Sequence, residues 1–133
     1  MPRTQFVAHE DRQIVLMDFT HIREPDQALE AIEEARQFVA AQPRMKKLLT
    51  LVDVTDSVQD DSVIEALKRL AEHDKPWVMA GAVVGVGGAR RLLFKLVTMF
   101  SGRKLASFAS VDDAKDWLVR QYIPPASVPD ILR

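Results

Sequence analysis

The sequence contains no cysteine. Disulfides, thiolate nucleophiles and cysteine-based zinc sites are therefore all excluded. No long apolar stretch follows basic residues near the N-terminus, so no secretory signal is visible. The longest apolar run, Val78–Val86, is far too short to span a bilayer. These absences favour a cytoplasmic protein that does not span a membrane.

The composition is that of an ordinary globular domain. The chain has 133 residues, of which 47% are hydrophobic and 28% are charged, so it can bury one core without covalent staples. We expect residues 1–133 to form a single domain with an irregular, proline-containing tail at 123–133. The net charge of −1 gives no general attraction to nucleic acid. Although Lys75–Lys104 contains basic residues and no acid, apolar residues are interleaved with them, and no nucleic-acid partner is expected.

Short apolar runs alternate with helical patterns along the chain. Strands are predicted at Phe6–Ala8, Gln13–Phe19, Leu48–Val54, Trp77–Val86 and Lys104–Phe108. Helices are predicted to begin at Pro25, Ser62 and Ala89 and directly after Ser110. The resulting order is ββαβαβαβα, with five strands and four helices. An opening hairpin followed by crossover helices requires a mixed, mostly parallel sheet.

Local signals fix several of these elements. Ser62 and Glu65 match a capping box, in which Ser62 would accept a hydrogen bond from the Glu65 amide. Ser110 is the predicted cap of the last helix. Trp77 and Trp117 are predicted to be core aromatics, at a strand start and on the inner face of the last helix.

Several segments together resemble a bacterial family called SpoIIAA-like or STAS-like. They are Ala82–Val86, the helix closing on Ser101–Lys104, Asp112–Leu118, Leu51–Thr55 and His73–Pro76. The resemblance implies a βα superhelical domain, and one that acts by binding a protein partner in place of catalysing a reaction. It also implies a more distant similarity to lipid-transfer domains of the CRAL-TRIO type.

Ser62 is a candidate phosphoacceptor, because the resemblance implies a phosphorylated serine at the start of the helix after the third strand. The related anti-anti-sigma proteins have an Asp-Ser-Ser-Gly turn there, whereas this chain has Asp61-Ser62-Val63 and lacks the second serine and the glycine. Thr55 and Ser57 are weaker candidates in the same loop. The alternative is that Ser62 only caps the helix.

The glycine-rich turn after the fourth strand is a candidate anion site. Gly87, Gly88, Arg90 and Arg91 could present amides and guanidinium groups to a phosphate or a lipid headgroup. Neither the dinucleotide pattern nor the P-loop pattern is complete, so a plain strand-to-helix turn is the alternative.

The predicted helix Ala89–Ser101 is apolar on nearly all sides. A helix of this kind is buried on more than one side, whereas an ordinary surface helix has one apolar stripe. Burying two additional Leu or Phe side chains would contribute about 3–6 kcal/mol. Leu93, Phe94 and Val97 are therefore a candidate interface, covered by a second copy in a homodimer or by a lipid-like ligand. A deep position in the domain's own core is the alternative.

No residue pattern indicates catalysis. His9, His21 and His73 are far apart in sequence and show no metal or triad spacing, so we expect surface or capping roles. The carboxylates Asp53, Asp56, Asp60 and Asp61 match no calcium loop, and a solvated acidic loop is the simpler interpretation. An enzyme of this fold would be sought at Asp18 and Asp53, near the carboxyl ends of strands.

The sequence therefore predicts a non-enzymatic regulatory interaction module, with a homodimer and a regulatory protein as its expected partners. No catalytic residue, metal or cofactor is expected. A domain that binds a small ligand or a lipid through the helix 89–101 is the alternative.

Overall fold

A computed structural model describes residues 2–58, 60–86 and 104–122. Five strands and three helices follow one another within these residues. In chain order they are β1 (Thr4–His9), β2 (Arg12–Asp18), α1 (Pro25–Ala40), β3 (Leu48–Asp53), α2 (Asp61–Asp74), β4 (Val78–Val84), β5 (Lys104–Phe108) and α3 (Val111–Gln121). The sequence predicted four helices. The remaining one, at 89–101, lies outside the described residues.

The strands form one mixed sheet in the order β1-β2-β3-β4-β5. β1 pairs with β2 in antiparallel orientation, and every later pair is parallel, as the sequence predicted. The parallel register places Asp18 beside Asp53, and Asp53 beside Val84. The carboxyl ends of β2, β3 and β4 therefore lie at the same edge of the sheet.

A tight turn joins β1 to β2. Glu10 and Asp11 both have positive φ, at 48° and 64°, which is the backbone of a type I′ hairpin turn. This turn fits the right-handed twist of the two strands and sets His9 opposite Arg12. The predicted hairpin is confirmed.

Apolar clusters lie on both faces of the sheet. One cluster joins Val15, Met17 and Val83 to the buried stripes of α1 and α2. The other joins Ile14, Leu51 and neighbouring strand residues to α3. Consecutive strand residues point to opposite faces of the sheet. Because helices cover both faces, both sets of residues are buried, and the strand sequences are continuous apolar runs.

α3 covers the face opposite α1 and α2. Its predicted cap is confirmed, because the Ser110 hydroxyl accepts a hydrogen bond from the Asp113 amide at 3.1 Å. Ala114 and Leu118 are fully buried. Trp117 is only half-buried, contrary to the prediction of a core position, because it lies over the edge strand β5 with its ring 5.7 Å from that of Phe108.

The predicted cap of α2 is wrong by two residues. The helix begins at Asp61, and the Asp60 carboxylate accepts from the Val63 amide at 3.0 Å. Ser62 is already inside the first turn, where its hydroxyl donates to the Asp60 carboxylate at 2.7 Å. Asp60 takes the capping position because its carboxylate reaches the third amide from an extended backbone, which Ser62 does not have.

Several predictions concern residues outside the described part of the chain. These are the anion site (Gly87, Gly88, Arg90 and Arg91), the interface (Leu93, Phe94 and Val97) and the tail 123–133. Among the residues that the structure does describe, no helix is long and apolar enough to cross a membrane.

Candidate functional site at the carboxyl edge of the sheet

Two neighbouring loops at the carboxyl edge share the same four-residue design. Asp18-Phe19-Thr20-His21 follows β2, and Asp53-Val54-Thr55-Asp56 follows β3. The loops continue the parallel pairing of their strands, because the Phe19 amide donates to the Asp53 carbonyl at 2.9 Å and the His21 amide to the Thr55 carbonyl at 3.0 Å. The edge is thus built from two superposable turns side by side.

Each turn is closed by its own aspartate. Asp18 Oδ1 accepts from the Thr20 amide at 3.0 Å and from the Thr20 hydroxyl at 2.6 Å. Asp53 Oδ1 accepts from the amide and the hydroxyl of Thr55 at the same two distances. An aspartate that bonds to the backbone two residues later stabilises a turn. These two carboxylates therefore hold the loops in shape.

The fourth residue of each turn adopts a left-handed backbone, with φ of 58° at His21 and 56° at Asp56. This conformation brings the two side chains together, with His21 Nδ1 2.9 Å from Asp56 Oδ2. The Arg23 guanidinium donates two hydrogen bonds to the same carboxylate, one to each oxygen, at 2.8 and 2.6 Å. These hydrogen bonds, first from Arg23 and then from His21, hold the pKa of Asp56 below its ordinary value.

Ser57 and Gly85 fasten the two loops to their neighbours. The Ser57 hydroxyl donates to the Phe19 carbonyl and accepts from the Ile22 amide. Gly85 follows β4 with φ of 83° and lies so close to Thr55 that no side chain fits at this position. A left-handed residue without a Cβ lets the two backbones approach.

The N-terminus of α2 completes the edge. Asp60 accepts hydrogen bonds from the Val63 amide and then from the Ser62 hydroxyl, and these bonds lower its pKa. Ser62 is exposed, so its hydroxyl is open to an enzyme that modifies it. Residues that begin helices after parallel strands stand at the same edge as the strands' carboxyl ends, which is why Ser62 lies near the two turns.

Exposed carboxylates surround the two turns. We call this group the acidic rim, and it consists of Glu24, Asp26, Asp56, Asp60 and Asp61. The first two stand at the start of α1, and the last three lie in or beside the loop that leads to α2. Arg23 and His21 are the basic groups bonded within it, and both contact Asp56.

Three carboxylates of the acidic loop make hydrogen bonds of their own. Asp53 closes its own turn, Asp56 contacts Arg23 and His21, and Asp60 caps α2. Each of these three carboxylates is therefore bonded to a different partner.

The histidines have partners that the sequence spacing concealed. His9 contacts Asp116, His21 contacts Asp56, and His73 contacts Asp74, each at 2.7–2.9 Å. The partners of His9 and His21 come from distant segments, so spacing along the sequence does not reveal them. The repeated Asp-x-Thr pattern after two strands was a visible signal that sequence reasoning missed.

A small apolar cavity of about 20 Å³ lies between α2 and the β2–β5 part of the sheet. Its wall includes Met17, Val54, Leu70, Val83 and Leu105, and the polar members are Thr50 and Asp74. Residues 87–103, which link β4 to β5, lie outside the described part of the chain.

The sheet order, the parallel register and the position of the helices define an α/β protein with the SpoIIAA-like fold. A solved structure similar to this chain is that of an uncharacterized protein from the DUF3478 family, with a SpoIIAA-like fold, from Shewanella loihica PV-4. The TM-score is 0.61 at 19% sequence identity, and the match covers 86% of this chain and 91% of that chain. The predicted fold resemblance is confirmed. No family model and no curated protein matches the sequence.

Proposed function

We propose that this chain is a non-enzymatic regulatory module that binds a protein partner through the acidic rim. The observation that carries the proposal is the pair of locked turns, in which Asp18 and Asp53 are both bonded to the threonine two residues later. The two loops that carry His21 and Asp56 are therefore each closed by hydrogen bonds between an aspartate and a threonine. A surface ordered in advance loses less conformational entropy on binding than a loose one.

The chemistry of the rim favours recognition over catalysis. A general acid or base works best with a pKa near the working pH. The pKa values of Asp56 and Asp60 are instead lowered, by hydrogen bonds from Arg23 and from the Val63 amide respectively. Both groups are thus ionised at neutral pH, which suits them to attract charge and makes them poor proton donors.

The charge of the rim indicates a partner with a basic contact surface. Exposed carboxylates at the starts of α1 and α2 outnumber the basic groups bonded among them. Complementary charge speeds association and makes it sensitive to salt. We therefore expect binding to weaken as the salt concentration rises.

A matched pair of charge reversals tests the proposal. Glu24→Lys changes the acidic rim without removing a side-chain hydrogen bond, because the Glu24 side chain makes no capping bond to α1. Asp11→Lys makes the same change in the β1–β2 turn, at the opposite edge of the sheet. The chain and both variants are immobilised, and proteins retained from a lysate of the source organism are identified by mass spectrometry.

A partner retained by the original chain and by Asp11→Lys, but at least about ten-fold less by Glu24→Lys, supports the rim as the binding surface. The proposal would be overturned if both variants retained the partner equally well, or if neither variant retained it. Binding of the purified partner, measured at two salt concentrations, then checks the electrostatic part of the proposal.

Ser62 provides the regulation in this proposal. A phosphate would add about −1.5 to −2 charges beside Asp60 and Asp61 and would compete for the hydrogen bond that now links Ser62 to Asp60. Phosphorylation would then change both the rim and the cap of α2. Mass spectrometry of protein purified from its source under several growth conditions tests this; no phosphate on residues 55–62 in any condition would refute it.

A second candidate function, binding of a small apolar ligand or a lipid, rests on the sequence of the predicted helix 89–101. Leu93, Phe94 and Val97 would contact the ligand, and Arg90 and Arg91 would bind an anionic group on it. Native mass spectrometry would show added mass if such a ligand is carried.

Light scattering at micromolar concentration, compared with the chain mass of 15.0 kDa, tests the proposed homodimer.

A further inference from the structure

A second group of ionisable side chains lies at the other end of the sheet. His9 ends β1, Glu10 begins the hairpin turn, and Asp116 comes from the middle of α3. His9 Nε2 is 2.7 Å from Asp116 Oδ1 and 3.5 Å from Glu10 Oε2. One ligand atom from each of the three residues lies within 4.8 Å of the others.

The fold assembles this group from parts that are each held in place. The type I′ turn fixes the backbone of Glu10 beside His9. His9 shares its face of the sheet with Val7, two residues earlier, and Val7 packs against the α3 cluster. Asp116 lies between Ala114 and Leu118, whose burial anchors α3 on that face. His9 and Glu10 are neighbours in sequence, and the tertiary fold brings Asp116 to them.

We propose that His9, Glu10 and Asp116 form a binding site for a divalent first-row transition metal such as Zn²⁺. One imidazole nitrogen and two carboxylate oxygens are ligands that such ions accept, with the remaining positions occupied by water. Ligand atoms around an ion at about 2.0–2.2 Å must lie about 3–3.5 Å apart, which is close to the two spacings measured from His9 Nε2. Only small side-chain movements are needed.

The charge balance at this site differs from that at the other two histidine–carboxylate pairs. Glu10 and Asp116 have no lysine or arginine partner among the described residues, and each of them contacts the His9 imidazole. Arg12 lies opposite His9, but its guanidinium carbon stacks over the Tyr122 ring, 4.3 Å from the ring centroid. With a neutral His9, the two carboxylates leave a net negative charge that a cation would neutralise.

The other pairs lack these properties. At His21, the carboxylate of Asp56 is already bonded to the Arg23 guanidinium. At His73, the imidazole is stacked on the Trp77 ring with the centroids 4.8 Å apart. His9 is also accessible, with 24% of its side chain exposed, while Glu10 and Asp116 are exposed by 65% and 49%. An ion can therefore enter from solvent.

Zinc titration of the full, untagged chain tests the site. After treatment with a chelator and its removal, ZnCl₂ is added at pH 7.5, and binding is followed by calorimetry and by the melting temperature. The variants are His9→Gln and Asp116→Asn, which remove ligands but keep hydrogen-bonding groups. His21→Gln is the matched control at the other edge. Co²⁺ absorbance reports the coordination geometry independently.

We expect one zinc ion to bind per chain. The affinity for zinc should fall at least about ten-fold in His9→Gln and Asp116→Asn and should not change in His21→Gln. Zinc at about 100 times its Kd should raise the melting temperature by about 5–10 °C in the original chain, because the ion joins the hairpin to α3. No binding up to millimolar zinc would overturn the proposal. Binding that survives both ligand substitutions, or that is lost in the control, would overturn it as well.

Discussion

The contact between Gly85 and Thr55 leads to a sharp prediction about the acidic edge. Gly85 has φ of 83°, and a Cβ at this position would lie 2.7 Å from both the amide nitrogen and the Cα of Thr55. An alanine would therefore be strained both by its backbone conformation and by its contact with Thr55. The left-handed backbone costs about 1–2 kcal/mol, and pushing the two backbones apart costs about 1–3 kcal/mol.

Gly85→Ala should lower the free energy of unfolding by about 2–5 kcal/mol, a large part of the about 5–15 kcal/mol that is usual for a domain. Urea unfolding followed by tryptophan fluorescence measures this as a lower midpoint with an unchanged slope. The control is Thr55→Ala, with and without Gly85→Ala. It removes the Thr55 hydroxyl but leaves both backbone contacts.

The glycine substitution should still cost about 2 kcal/mol or more in the Thr55→Ala background, because the backbone strain does not depend on the hydroxyl. A loss below about 1 kcal/mol in both backgrounds would show that the β4 end can move away freely. The close approach of the strands would then not be what holds the Thr55 turn.

Two further predictions concern hydrogen-bonded carboxylates. Asp60→Ala should lower the urea midpoint more than Ser62→Ala, because only Asp60 accepts from a first-turn amide of α2; the reverse order would contradict this cap. The pKa of Glu33 is lowered to about 2, chiefly by its bond from Arg36. The ionised Glu33 contributes its full stabilisation above pH 4.5, the ordinary pKa, and this contribution is lost as the pH falls through about 2. In a plot of the urea midpoint against pH, Glu33→Gln should therefore reduce the fall of the midpoint at acid pH. An unchanged fall would contradict this.

Sequence reasoning succeeded where a signal is local. Pro25 starts α1 and Ser110 caps α3, because both depend on a few neighbouring residues. The hairpin and the parallel order followed from apolar runs and chain order, which leave few topologies open. The cap of α2 was misplaced because Asp60, Asp61 and Ser62 are all good capping residues, and only the backbone geometry distinguishes them.

The candidate sites depended on information that the sequence does not display. His9 and Asp116 are separated by 107 residues, and they meet only because α3 packs on the face to which His9 points. The two Asp-x-Thr turns are visible in the sequence, but their alignment depends on the register that sets Asp18 beside Asp53. Register and helix placement are tertiary properties, so spacing rules could not reveal either group.

The acidic rim and the proposed metal site lie at opposite ends of the same strand. β2 runs from Arg12, beside the hairpin turn, to Asp18, at the first locked turn, and six steps of about 3.3 Å separate them by about 20 Å. That distance exceeds the screening length of about 8 Å at physiological salt, so charge at one end is felt weakly at the other. An ion bound at His9 would stiffen the hairpin and α3 and leave the turns at Asp18 and Asp53 as they are. Each proposal can therefore fail without affecting the other.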